Sequence, residues 1–285
     1  MTDPGRTRMT ETVLPPARRV PPVGYGGPER LFGITGLGTE GPHGVGTLRL
    51  DRRHAGGAGA ALAVLVDDAL GYAAVAAGPE GEWSVSTDIT LDLLAPLRPE
   101  STVTARARAL HVDATLSVTE CHVVDDAGRV VALATQRGRF TPIGPEGLDA
   151  TAAAEDEIAA ATRLGAASGL AALIGARRGD GPGGASATRL TVGRELGNRF
   201  GALHGGVALA ASLLEAEAVL REAGRDALAP TSIRITYPRP IEGGAEVRFR
   251  GAMLHSGRSF AVLDVAGEVA GRLATSAQVT AHPLG

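Results

Sequence analysis

The chain repeats itself once, and this constrains its fold more than any other feature. Glu40-Gly41-Pro42 followed by Thr47-Leu48-Arg49-Leu50 returns as Asp180-Gly181-Pro182 followed by Thr188-Arg189-Leu190-Thr191. A long apolar helical stretch, Ala60–Ala77, returns at Val207–Ala223. An extended run ending in proline, Asp88–Pro96, returns as Ser232–Pro240, and Ala134-Thr135 returns as Ala274-Thr275. The offset drifts between roughly 140 and 146 residues, as expected when the loops of two copies differ in length.

Each copy reads as loop, long helix, then strands. In the first copy Val85–Leu94 mixes β-branched and apolar residues. Thr102–Leu110 alternates, with Val103, Ala105, Ala107 and Ala109 on one face and Thr104, Arg106 and Arg108 on the other. Leu116–Val124 and Arg129–Phe140 flank Asp125-Asp126-Ala127-Gly128, a hairpin signal. The second copy closes with strand candidates Ala245–His255, Ser259–Val265 and Glu268–Thr280. A buried helix followed by period-two runs predicts an α+β architecture, helix packed on antiparallel sheet, twice over. With 285 residues, 44% of them apolar, both copies can bury a core. The expected organisation is a polar, Pro-rich tail over 1–30, one domain over 31–147 and a second over 148–285. In the second, 148–184 supplies a linker with a helix in Thr151–Arg177 and a flexible turn over Gly179–Gly184.

Composition excludes several classes. A net charge of −3 gives no electrostatic case for nucleic acid. The single cysteine, Cys121, allows neither a disulfide framework nor a thiolate metal site. The longest apolar run, Ala55–Val66, is too short to cross a bilayer. Met1–Arg30 has no apolar signal core, so a cytoplasmic protein is expected.

The chemistry concentrates at Asn198-Arg199-Phe200-Gly201-Ala202-Leu203-His204-Gly205-Gly206, which runs into the second long helix. Paired glycines at a helix start let a ligand approach the backbone. The unsatisfied N–H groups there, with the helix dipole, stabilise a negatively charged oxygen.

Asn-x-x-Gly-x-x-His-Gly-Gly, followed by a buried helix and an extended run ending in proline, resembles the hotdog-fold acyl-CoA thioesterases of the phenylacetate-degradation type. The resemblance covers about residues 31–285 and implies two fused hotdogs, each a long helix wrapped by an antiparallel sheet, paired into one continuous sheet. It implies an acyl-CoA substrate, no metal and no redox cofactor, and it allows a homodimer of the fused pair. In the family a carboxylate lies nine residues after the His. Nine residues of helix span about 13 Å, so the Gly and the acid of one helix cannot grip one carbonyl, and the site is shared between paired units.

The two halves depart from this pattern in complementary ways. Nine residues after His204 stands Leu213, whereas Leu65-Val66-Asp67-Asp68-Ala69-Leu70-Gly71 puts Asp67 at the acidic position of half one. There the His-Gly-Gly has become Ala58-Gly59-Ala60, and the Asn position is Arg52. Aligning Pro96 with the family's strand end puts Ser86 at a hydroxyl position where half two has Pro230. The resemblance thus implies one complete site and one dead one. Gly205 would polarise the thioester carbonyl, Asp67 would be general base or nucleophile, Asn198 would position the thioester or water, and Ser86 would orient Asp67. His204 would shape the loop. Gly206 and Arg258 would contact substrate, the latter through a CoA phosphate. Asp68, about 100° round the helix from Asp67, is expected to be structural or solvated, and the rival acids Glu215 and Glu217 are expected to face elsewhere. Two other classes stay open: a non-catalytic acyl-CoA-binding module, and a hotdog hydratase, for which no Asp-x-Asn-x-x-His stretch is present.

Overall fold

In the computed structural model residues 26–142, 167, 169–180 and 186–283 are described. Twelve antiparallel strands form one sheet. Half one contributes β1 (Ile34–Glu40), β2 (His43–Arg49), β3 (Glu82–Leu93), β4 (Thr102–Val112), β5 (Leu116–Asp125) and β6 (Val130–Pro142). Half two contributes β7 (Arg177–Asp180), β8 (Ser186–Thr191), β9 (Ala229–Thr236), β10 (Glu246–Ser256), β11 (Ala261–Val269) and β12 (Arg272–His282). The spatial order is β1-β2-β4-β5-β6-β3-β9-β12-β11-β10-β8-β7. Read from its two ends, the order matches strand for strand, β1 with β7 through to β3 with β9, so the sequence repeat is a pseudo-twofold axis. At the seam β3 pairs with β9, and the central pair of the run Asp88↔Thr236 to Asp92↔Ser232 is Thr90↔Arg234. These two residues are 144 positions apart (234 − 90), within the offset of the repeat. The chain is a tandem hotdog: each half wraps its sheet around one long helix, and the two sheets are continuous.

The alternation in Thr102–Val112 holds, with Val103, Ala105, Ala107 and Ala109 buried and Arg106 and Arg108 exposed. The half-one helix, Ala63–Ala77, is buried almost all round, as a helix that is apolar on every face must be. One turn, Ala58–Ala61, precedes it, with a break at Leu62 where a continuous helix was expected. Contact with the sheet is close enough to demand glycine, since a Cβ on Gly44 of β2 would stand 1.9 Å from the Ala69 carbonyl oxygen. The half-two helix, Gly205–Glu222, packs against both its own sheet and the half-one helix.

Several expected boundaries move. The tail does not extend to residue 30, because Gly27–Phe32 is a short helix with Leu31 and Phe32 fully buried. Its apolar pair was masked in the sequence by the surrounding prolines; residues 1–25 lie outside those described. Of the expected helix in Thr151–Arg177, residues 151–166 and 168 also lie outside. Among the described residues of this stretch only Leu170–Ile174 is helical, and Arg177 already belongs to β7. Gly179 and Asp180 extend that strand rather than forming the turn, whose remainder, 181–184, is not described. Glu215 is buried within half two, where it accepts from Thr188 N and Oγ1 and Gly251 N and pairs with Arg178. It is a structural acid facing away from the seam, as its helical angle implied.

The seam carries a prediction. A fragment ending near residue 142 keeps a helix and six strands but exposes β3 as an unpaired edge. It is expected to aggregate or dimerise in size-exclusion chromatography, and a stable soluble monomer would count against a sheet that needs both halves.

Candidate active site

The seam brings the two complementary halves of the motif together. The half-two loop 197–204 is held by Asn198, whose Oδ1 accepts from Phe200 N at 2.9 Å and Ala202 N at 3.2 Å. His204 is the N-cap of the half-two helix. Asp67 reaches this helix start from half one: its Oδ2 accepts the Gly206 N–H at 2.7 Å. A Cβ placed on Gly205 would lie 2.7 Å from the same oxygen, so the close approach requires glycine there. The other Asp67 oxygen accepts from Ser86 Oγ at 2.8 Å. Ser86 in turn accepts from Gln136 Nε2 at 2.5 Å, and Gln136 Oε1 accepts from Thr119 Oγ1 at 3.1 Å. This chain of hydrogen bonds, directed from Thr119 to Asp67, leaves the carboxylate one orientation. The pairing of β3 with β6 shifts register between Ser86 and Asp88, and such bulges re-aim side chains beside functional sites.

The glycines divide the work differently from the expectation. Gly206, expected to contact substrate, is buried, gives its N–H to Asp67 and does not line the cavity. Gly205 lines the cavity, and among the described residues its N–H makes no hydrogen bond, as befits the first helical position. The next peptide, whose N–H goes to Asp67, is fixed from its other side, where Tyr237 Oη donates to the Gly205 carbonyl at 3.0 Å. Arg258 sits exposed beyond the end of β10 and is not part of the cavity wall; a Gly-Arg turn gives no information about which sheet end it occupies.

Asp68 is neither solvated nor remote. His204 stands between the two acids, with Nε2 3.1 Å from Asp68 Oδ1 and Nδ1 3.3 Å from Asp67 Oδ2, and the Gly206 nitrogen lies 3.1 Å from Nδ1. Burial, then the Glu29 carboxylate, pushes the Asp68 carboxyl up to about 7 against the pull of His204. Burial alone would lower the His204 imidazole, but Asp68, Asp67 and Glu29 together carry it up to about 10. His204 is therefore a protonated tie between the halves. Glu29, Asp68 and His204 each place one ligand atom within 4.8 Å of the others, near enough for one cation. With both ring nitrogens protonated, Nδ1 toward Asp67 and Nε2 toward Asp68, however, His204 has no lone pair free for a metal.

A stability prediction follows. Because the folded pKa of His204 is raised, the folded state binds the extra proton more tightly than the unfolded one. Its contribution is fully present below about 6.5, the ordinary histidine value, and is lost as pH rises through about 10. In urea titrations the stability gap between wild type and His204→Gln should narrow between neutral and alkaline pH. A constant gap would show that His204 is not charged.

The cavity around these groups measures about 810 Å³. Arg199 closes one side, its guanidinium 3.6 Å above the Trp83 ring, and Trp83 meets Tyr72 edge-on at 5.6 Å. Among the described residues, buried Glu29 Oε2, Asp68 Oδ2, Arg199 Nη1 and Thr275 Oγ1 find no partner, and all four residues line this cavity. Sequence reasoning missed Glu29, Asp68, Gln136, Arg199 and Tyr237. Only Asp68 and Arg199 carried a signal, by adjacency to Asp67 and Asn198.

The equivalent place across the pseudo-twofold is filled. Leu213 Cδ1 lies 3.5 Å from a Cβ built on Gly59, and Leu93 Cδ1 lies 2.8 Å from it, while Leu170 and Leu214 close on Gly57. Leu213 thus meets Gly59 as Asp67 meets Gly205, which supports the alignment independently. The loop there is also shorter. Three residues separate His54 from Ala58, whereas eight separate Leu196 from Gly205 (55–57 against 197–204).

Residues 58–132 match the family model "Thioesterase superfamily" and residues 196–282 match "Acyl-CoA thioesterase N-terminal domain". Among solved structures the chain is similar to a tesB protein of Mycobacterium avium subs paratuberculosis, at 14% identity and TM-score 0.65, covering 90% of this chain and 99% of that one. It is also similar to the acyl-CoA thioesterase II TesB2 of Mycobacterium marinum, at 10% identity and TM-score 0.55, covering 90% and 96%. No curated protein matches the sequence. The chain is a tandem hotdog protein in which each half matches a thioesterase-family model.

Proposed function

We propose that the chain is an acyl-CoA thioesterase of the phenylacetate-degradation pattern, hydrolysing its substrate at one composite site across the seam. The observation that carries this reading is the Asp67 carboxylate of half one lying against the Gly205-Gly206 helix start of half two. The thioester carbonyl oxygen takes the free Gly205 N–H, where the helix N-terminus stabilises the negative charge that develops on attack. Asp67 either takes the proton of an attacking water or attacks the carbonyl carbon itself. Along the water route, a C–O bond forms as the proton passes to Asp67. The tetrahedral intermediate then collapses, the C–S bond breaks, and the CoA sulfur leaves with a proton to give free acid and CoA. Ser86, backed by Gln136, keeps one Asp67 oxygen in place. The Asn198 carboxamide nitrogen, which makes no hydrogen bond among the described residues, is available to the thioester or the water. The reading needs no metal.

The test is a panel of acyl-CoA thioesters with detection of free thiol. Enzyme-dependent release of CoA supports the proposal. Saturable binding without thiol release would favour a binding module instead, and hydration of an enoyl-CoA would favour a hydratase.

A further inference from the structure

The two core helices contain three glycines, and two of them have a steric reason. A Cβ on Gly205 would crowd Asp67, and one on Gly206 would lie 2.6 Å from Val64 Cα. The third, Gly71, sits in the interior of the half-one helix, and a Cβ there would meet nothing within 4 Å. A helix-interior glycine costs about 0.5–1 kcal/mol relative to alanine. Alanine is the prevailing residue of this segment, which continues Tyr72-Ala73-Ala74-Val75-Ala76-Ala77. No turn, positive φ or tight contact requires glycine at 71. What its missing side chain leaves is room in the cavity that Asp67 also lines. Residues i and i+4 share a helix face, so the open space lies one turn along from the carboxylate, about 6 Å away. Tyr72 and Trp83 wall the same cavity.

We infer that Gly71 is a specificity-determining residue: the acyl group runs from the thioester at Asp67 along the half-one helix and over Gly71. Acyl groups long enough to pass that point are accepted because no side chain stands there. This rests on the thioesterase reading and deepens it by naming where the acyl group lies and what limits its length.

The experiment compares wild type, Gly71→Ala and Gly71→Leu with acetyl-, hexanoyl- and decanoyl-CoA. The ratio of kcat/KM for hexanoyl- over acetyl-CoA should fall about tenfold or more in Gly71→Leu and less in Gly71→Ala, since added methylenes in a pocket discriminate by about 10–200-fold. Gly71→Ala should also melt at a higher temperature than wild type, because it fills open space in a helix. An equal loss of turnover on every substrate, or an unchanged ratio, would overturn the inference while leaving the thioesterase reading intact. If wild type hydrolyses none of the three, the thioesterase reading fails and calorimetry decides the pocket. Hexanoyl-CoA should then bind wild type more tightly than CoA itself, and Gly71→Leu should lose that difference. Equal affinities of wild type for hexanoyl-CoA and CoA would sink the pocket as well.

Discussion

Asp67→Asn is expected to lower turnover by roughly 10²–10⁴, the range for loss of a general base, with a modest drop in melting temperature, since one of the carboxylates beside the His204 imidazolium is neutralised. An asparagine carbonyl oxygen can still accept from Gly206 N or from Ser86 Oγ, the two groups that hold the carboxylate. The variant keeps the shape and one of these two hydrogen bonds and loses the basic or nucleophilic oxygen. Steady-state thiol release with parallel thermal melts separates the effects. A fully active Asp67→Asn would remove Asp67 from the chemistry, whatever its position. Glu215→Gln is the contrasting change. It should cost stability, because a fully buried acid that pairs with Arg178 is replaced, and it should touch catalysis only through folding.

Gly206→Ala is expected to give the largest loss of stability. The new Cβ would lie 2.6 Å from Val64 Cα and 2.7 Å from the Ala63 carbonyl oxygen, both backbone atoms of the opposite half. Backbone cannot rotate away as a side chain can, so the two core helices must separate. Overpacking of this kind costs about 1–3 kcal/mol and occasionally more, and here the upper end is expected. Turnover should fall too, since the Gly206 N–H that seats Asp67 shifts with the helix. Gly179→Ala, whose Cβ would have its nearest neighbour at 3.8 Å, is the control and should be close to neutral. Equal urea midpoints for the two variants would mean the helices are not in the contact described.

The tandem architecture was legible because it rests on patterns local to each segment. Helix periods, alternating strands and the repeat offset are written along the chain, and the repeat implies the seam because like edges pair. The split of the motif, with Asp67 and Ser86 in one half and Asn198 and His-Gly-Gly in the other, is written in the sequence for the same reason, and the structure brings Asp67 of one half to the Gly205-Gly206 helix start of the other. The first hairpin arm of half one, β1, was not legible, because Ile34–Glu40 holds four glycines and threonines against two apolar residues and draws its strand character from β2.

Other features were decided only by the tertiary structure. A helical angle places Asp68 relative to its own helix alone. It could not show that His204, arriving from the other half, would stand between Asp67 and Asp68. Gln136 is a polar residue in a buried strand until β3 and β6 pair and bring it to Ser86. Glu29 belongs to a stretch that reads as tail until the helix Gly27–Phe32, with Leu31 and Phe32 buried, packs against the Arg194–Leu196 turn of half two. Leu213 reads as a missing acid, and the structure shows it filling the opposite pocket against Gly59. The sequence by itself determined the repeated core helix, the alternating strands and which half holds each part of the motif, because those depend on short-range periodicity and spacing. Which side chains meet across the pseudo-twofold depends on contacts between residues more than a hundred positions apart, and only the packing of one half on the other sets them.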